Sequence, residues 1–139
     1  MPRVRYREKE VDLLGRLLRA EAGGEGRKGM LLVGNVVVNR VKASCQTFTN
    51  IDTIEQAIFQ KGQFEGTQIP LFNARATGVE KELALKTINS WRQSPGYYAL
   101  FFQNPGKGKS CKDRFWGKFA GRYKNHCFYN PDNISQCGL

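Results

Sequence analysis

The chain has 139 residues, 40% of them apolar and 24% charged, which is one domain's worth of sequence and enough for a single buried core. No apolar run approaches the roughly 20 residues that a membrane helix needs, and no apolar stretch follows the basic N-terminus as in a secretory signal, so neither a membrane span nor a signal peptide is expected. Twenty-two Lys and Arg against 12 Asp and Glu leave a net charge of +10, a field that draws polyanions such as nucleic acid, an acidic membrane or an anionic wall polymer.

From Lys9 to Ala20, Val11, Leu14, Leu17 and Leu18 recur at helical steps, with Arg16 and Arg19 on the outer face. Gly23-Gly24 stops this helix just after Glu21. Gly29 to Val41 is apolar nearly all round. Its β-branched content would suit a buried strand, but its length and the polar Asn35, Asn39 and Arg40 favour a central helix. Thr53 caps a short helix that reaches Gln60. Gln63 to Gly78 has no period and reads as a long surface loop, a kind of segment often used for function. Val79 to Gln93 is a fourth helix, ended by Pro95-Gly96.

The character then changes. Tyr97 to Phe102 and Tyr123 to Tyr129 read as extended runs, separated by a Gly/Lys loop and by Phe115, Trp116 and Phe119. Helices followed by a small aromatic sheet make an α+β domain. After residue 82 there are nine basic residues and two acidic ones, so the positive charge gathers on the later part of the chain.

Single motifs restrict the chemistry. One histidine and no Gly-x-Ser-x-Gly argue against a nucleophilic triad. Gly106 to Ser110 imitates half a phosphate loop without its first glycine. Cys45, Cys111, Cys127 and Cys137 form no Cys-x-x-Cys pair, so buried thiols or a disulfide are expected rather than zinc, with Cys137 the least buried. Glu8, Glu10, Glu55, Glu80 and Glu82 read as solvated helix faces, and Asn35 and Asn39 as satisfied core amides. Glu21 differs, because it lies between two apolar segments where partial burial would raise its pKa and suit a general acid. Spacing alone still favours an ordinary surface glutamate. Glu25 and the loop residue Glu65, beside an exposed Phe64, are weaker second carboxylates.

Several ordered blocks are similar to one family. They are Arg19 to Gly26, Gly29 to Val41, Phe59-Gln60 with Gln63-Phe64-Glu65, Ala99 to Phe102, Trp116-Gly117 and Gly121 to Tyr129. Together they resemble the SleB/CwlJ family of cell wall hydrolases, germination enzymes that break down spore cortex peptidoglycan. The match runs from about Glu10 to Pro131, so residues 1–139 read as one catalytic domain. The short chain and the Lys-Asn-His-Cys-Phe-Tyr ending resemble the CwlJ branch.

The resemblance implies a small lysozyme-like fold, as in lytic transglycosylases and resuscitation-promoting factors. It places the family's catalytic glutamate at Glu21, with Ala20 where the family has Gly and Gly23 where it has Arg. It further implies a groove lined by Glu25, Phe64, Glu65, Phe102 and Tyr123, an aromatic wall on which sugar rings stack, and no cofactor or metal. His126 is expected to serve as a structural hydrogen-bonding residue rather than a base. The polyanion becomes peptidoglycan. The enzyme would be made in the mother-cell cytoplasm and placed at the boundary of spore coat and cortex, with a coat protein as placement partner. A two-carboxylate muramidase is the alternative chemistry, and a basic nucleic-acid-binding domain the alternative of another class.

Overall fold

The computed structural model describes residues 1–45 and 48–139. Four helices come first: α1 (Glu8–Ala22), α2 (Gly26–Lys42), α3 (Ile54–Phe59) and α4 (Gly78–Asn89). Three short strands follow, β1 (Phe101–Gln103), β2 (Lys118–Tyr123) and β3 (His126–Asn130), all antiparallel in the order β1-β3-β2. This is the expected α+β order, helices before sheet.

The apolar stripe of α1 packs on α2 and α4 through Leu14, Leu17, Leu18, Val33, Val37, Leu83 and Ile88, all removed from solvent. The opposite side of α2 presents Leu32 and Val36 to Ala99 and Phe128 of the sheet half. Helix α2 is therefore the shared wall of both halves, which is why its sequence is apolar on every side.

Its polar residues each reach the segment joining α4 to β1. Asn35 donates to the Trp91 carbonyl at 2.6 Å and accepts from the Gln93 N–H. The Asn39 amide faces the carbonyls of Gly96, Tyr97 and Ala99 at 2.9–3.2 Å, and its oxygen accepts from Arg3. Arg40 donates to the Leu100 carbonyl at 2.7 Å. Two expected boundaries shift for this reason. Helix α4 stops at Asn89 rather than Gln93, and the extended run from Tyr97 enters the sheet only at Phe101, because side chains of α2 take up the intervening backbone.

Other expectations are corrected. Tyr123 to Tyr129 is not one strand. Tyr123 pairs with His126 across a two-residue turn in which Lys124 adopts φ +49°, so Tyr123 ends β2 and His126 begins β3. The 63–78 loop is ordered by two short 3-10 turns, Glu65–Gln68 and Pro70–Asn73. Arg19, assigned to an outer helix face, instead holds that loop: its guanidinium donates to the carbonyls of Leu71, Ala74 and Arg75 and pairs with Glu80 at 2.8 Å. Glu10 is not solvated either. It is 2% exposed and accepts from the backbone N–H groups of Arg7 and Glu55, tying α1 to α3.

The four cysteines form two disulfides, Cys45–Cys137 and Cys111–Cys127, which leaves no thiolate for a metal. Cys137 is buried, contrary to its expected exposure. Its terminal turn packs with Ala43, Phe48, Leu100 and Tyr129 beneath the sheet. Among the described residues no helix is long and apolar enough to cross a membrane.

Asn39→Leu preserves volume but leaves the carbonyls of Gly96, Tyr97 and Ala99 without their donor. Buried carbonyls without partners are costly, so urea unfolding is expected to show a loss of about 3 kcal/mol.

Candidate functional site

A groove of about 590 Å³ opens between the end of α1, the 62–65 loop and the sheet. Glu21, in the last turn of α1, faces it together with Arg40, Gln63, Glu65, Phe102, Gln103, Trp116 and His126.

Glu21 is half-buried and its pKa is raised above the ordinary glutamate value. Burial is the largest cause, and the charge of Glu65 adds to it. Three groups oppose the rise: the Gly66 N–H, which donates to the carboxyl, then His126 and Arg40. Gly66 has no room for a side chain, since an added Cβ would overlap Glu21 Oε2 and stand 3.1 Å from Ala20 Cβ. The bare backbone at Gly66 lets the loop deliver its N–H to the acid.

Arg40 lies under the groove. Its guanidinium sits 4.4 Å from the centre of the Phe64 ring and donates to Gln63 at 3.0 Å as well as to Leu100. Burial pushes its pKa down to about 9 while Glu21 pulls it up, so it remains a cation at neutral pH. A charge within an apolar helix, next to Asn39, is the sequence signal that marks it.

Five further residues were expected to line the groove. Glu65 and Phe102 do. Phe64 is buried beneath the surface, where it stacks on Phe102 with ring centres 5.7 Å apart, so it supports the floor and is not the exposed ring expected. Tyr123 is half-buried against Phe128, Leu32 and Val36, away from the groove lining.

Glu25 also lies outside the lining. It is 5% exposed, and its carboxylate accepts from His126 Nδ1–H at 2.7 Å and from the Asn125 N–H at 2.9 Å. Lys124 Nζ donates to the Glu25 carbonyl at 3.1 Å. Glu25 thus fixes the β2–β3 turn and sets the imidazole of His126 at the groove edge. Its partners lie about a hundred residues away in sequence, beyond the reach of spacing arguments. Gln103 carries no local signal that would have placed it in the groove, whereas Trp116 lies in one of the matching blocks and was left unassigned to it.

A carboxyl whose pKa is raised in the fold stabilises the protein while it is protonated, and that contribution is lost as pH rises through its folded value. Glu21→Gln is therefore expected to melt at a higher temperature than the parent at pH 7. The gain should shrink as pH falls and vanish below the ordinary value of 4.5. Thermal unfolding across a pH series reads this.

The sequence profile of the cell wall hydrolase family matches residues 24–129. A cell wall hydrolase CwlJ of Halalkalibacterium halodurans is 45% identical over 130 residues, covering 92% of this chain and 90% of the relative. One from Oceanobacillus iheyensis is 48% identical, covering 92% and 91%. The solved structure of the catalytic domain of the germination-specific lytic transglycosylase SleB from Bacillus anthracis superimposes with a TM-score of 0.73 at 21% identity, over 90% of this chain and 97% of that one. This likeness shows the fold, the small lysozyme-like arrangement expected from the sequence. By the extent of the profile match and by these identities, the chain belongs to the cell wall hydrolase family.

Proposed function

We propose that this chain cleaves the bond between N-acetylmuramic acid and N-acetylglucosamine in spore cortex peptidoglycan, by lytic transglycosylation, with Glu21 as the acid. The observation that carries the reading is the half-buried Glu21 carboxyl, raised in pKa and facing an open groove. Breaking a glycosidic bond requires a proton on the bridging oxygen, and a carboxyl whose pKa is raised by burial is suited to supply it. The 6-hydroxyl of the muramic acid then closes on its own anomeric carbon. The Glu21 carboxylate, now ionised, takes that hydroxyl's proton and returns to its starting state. The product ends in 1,6-anhydromuramic acid, and no water is consumed.

The names of similar proteins support the class of reaction. They include the lytic transglycosylase SleB and a spore cortex-lytic enzyme of Oceanobacillus iheyensis, 26% identical over 105 residues. The net charge of +10 suits a wall polymer bearing peptide carboxylates, and nucleic acid is not needed to explain it. Placement at the boundary of spore coat and cortex, with a coat protein holding the enzyme there, belongs to the same proposal.

One observation favours a second chemistry. Glu65 lines the same groove and raises the pKa of Glu21, so a second carboxylate lies within electrostatic reach of the acid. A muramidase uses such a group to activate water or to attack the sugar.

Digestion of purified cortex peptidoglycan tests both. Mass spectrometry of the parent's products should find ends one water lighter than hydrolysed ones. Reducing ends throughout would establish hydrolysis instead. Glu21→Gln should lose activity by about 10²–10⁴-fold while still sedimenting with the wall. Full activity in that variant would overturn the site. Gly66→Ala, which presses a methyl group against the acid, is expected to lower kcat by about 10²-fold in a protein that stays folded.

A further inference from the structure

Trp116 is 73% exposed, in a chain whose other tryptophan, Trp91, is half-buried against the core. It also adopts φ +63°, a left-handed backbone conformation that bulky side chains rarely take. Both features work against folding stability, yet the surrounding structure enforces them. The Cys111–Cys127 disulfide ties the start of the loop to β3. The Phe115 N–H donates to the Gly117 carbonyl at 3.1 Å, and the Phe115 ring packs on Tyr129 at 5.7 Å. Asp113 accepts from the Phe119 N–H, and Arg114 pairs with Asp132 at 2.8 Å. Gly117 lies against the Asn130 carbonyl with no room for a Cβ. A loop braced at this many points presents its indole by construction, and strain maintained in this way points to function.

The indole is presented to the groove that holds Glu21. Near it the groove wall carries the amides of Gln103 and Asn104, and Gln103 Oε1 is buried without a hydrogen-bond partner. An exposed flat aromatic face in a groove that also carries two side-chain amides matches a pyranose with an acetamido substituent. The ring's C–H face lies on the indole while its hydroxyl or acetamido oxygens accept from the amide N–H groups.

Resting on the glycosidase reading above, we propose that Trp116 is the sugar-stacking platform of the groove, holding an N-acetylated hexose of the glycan strand in register with Glu21. It binds substrate and transition state alike and takes no part in proton transfer. Its loss is therefore expected in KM rather than in kcat.

The test uses soluble, un-cross-linked glycan strands freed from purified peptidoglycan. Trp116→Ala should raise KM about tenfold with kcat nearly unchanged, and Trp116→Phe should recover part of the loss. Titrating the parent with strands should shift tryptophan emission, and the shift should be absent in Trp116→Phe, which retains Trp91. Trp116→Gly should melt no lower than the parent, because glycine accepts the left-handed conformation, yet it should share the high KM. That combination separates a binding role from a structural one. An unmoved KM in Trp116→Ala, or an emission shift that survives in Trp116→Phe, would overturn the platform. Strands that shift Trp116 emission but are left uncut by the parent would keep the platform and overturn the glycosidase reading instead.

Discussion

A helix enclosed on all sides cannot carry polar groups unless each finds a partner, and α2 carries Asn35, Asn39 and Arg40. The backbone of residues 91–100 supplies those partners. That segment cannot form a helix or a sheet ladder while its carbonyls face α2, so it runs as an ordered strap. The strap sets the position of β1, and β1 orders β3 beside it. The groove wall opposite Glu21 is thus located by three buried side chains of α2. Removing one of them disturbs the register between the two halves, a larger effect than the loss of one contact.

A second tie runs from the acid's own neighbourhood. The chain leaves α1 just after Glu21, makes one 3-10 turn and buries Glu25 against the β2–β3 turn. The carboxylate satisfies a backbone N–H and an imidazole at once, and both bonds are charge-assisted. Glu21 and Glu25 are four residues apart yet lie in opposite electrostatic settings. One faces a groove, and burial raises its pKa. The other is enclosed, accepts hydrogen bonds and orients His126.

These two ties explain what the sequence could and could not disclose. The α2 helix was legible because an apolar segment interrupted by Asn35, Asn39 and Arg40 has the length of a helix and polar groups that require burial partners. Thr53 was legible as a cap because its partner Gln56 is three residues away, and the two exchange hydrogen bonds as a capping box requires. Strand β2 was not legible. It is an edge strand with mixed exposure, a bulge between Phe119 and Gly121, and no alternation to betray it. Glu10, Arg19 and Phe64 were misjudged for one shared reason: each is covered by a segment distant in sequence, and neither helical periodicity nor a loop assignment says what will cover a residue. Glu21 was singled out by the ordered blocks around it, not by spacing.

The setting of Glu21 is a balance rather than simple burial. A general acid, the role proposed for Glu21, must hold its proton until the bond begins to break and must then tolerate the charge left behind. Burial and the neighbouring Glu65 serve the first requirement, and the Gly66 N–H, His126 and Arg40 serve the second. Arg40 suits this role because its guanidinium is locked between aromatic rings and two hydrogen-bond acceptors and cannot swing out to form a closed ion pair. A mobile lysine at the same place would collapse onto the carboxylate, lower its pKa and remove the proton the reaction needs. In the proposed reaction a fixed cation beneath the floor stabilises the charge after transfer without capturing it beforehand, which is the preorganised electrostatic environment that proton donation requires.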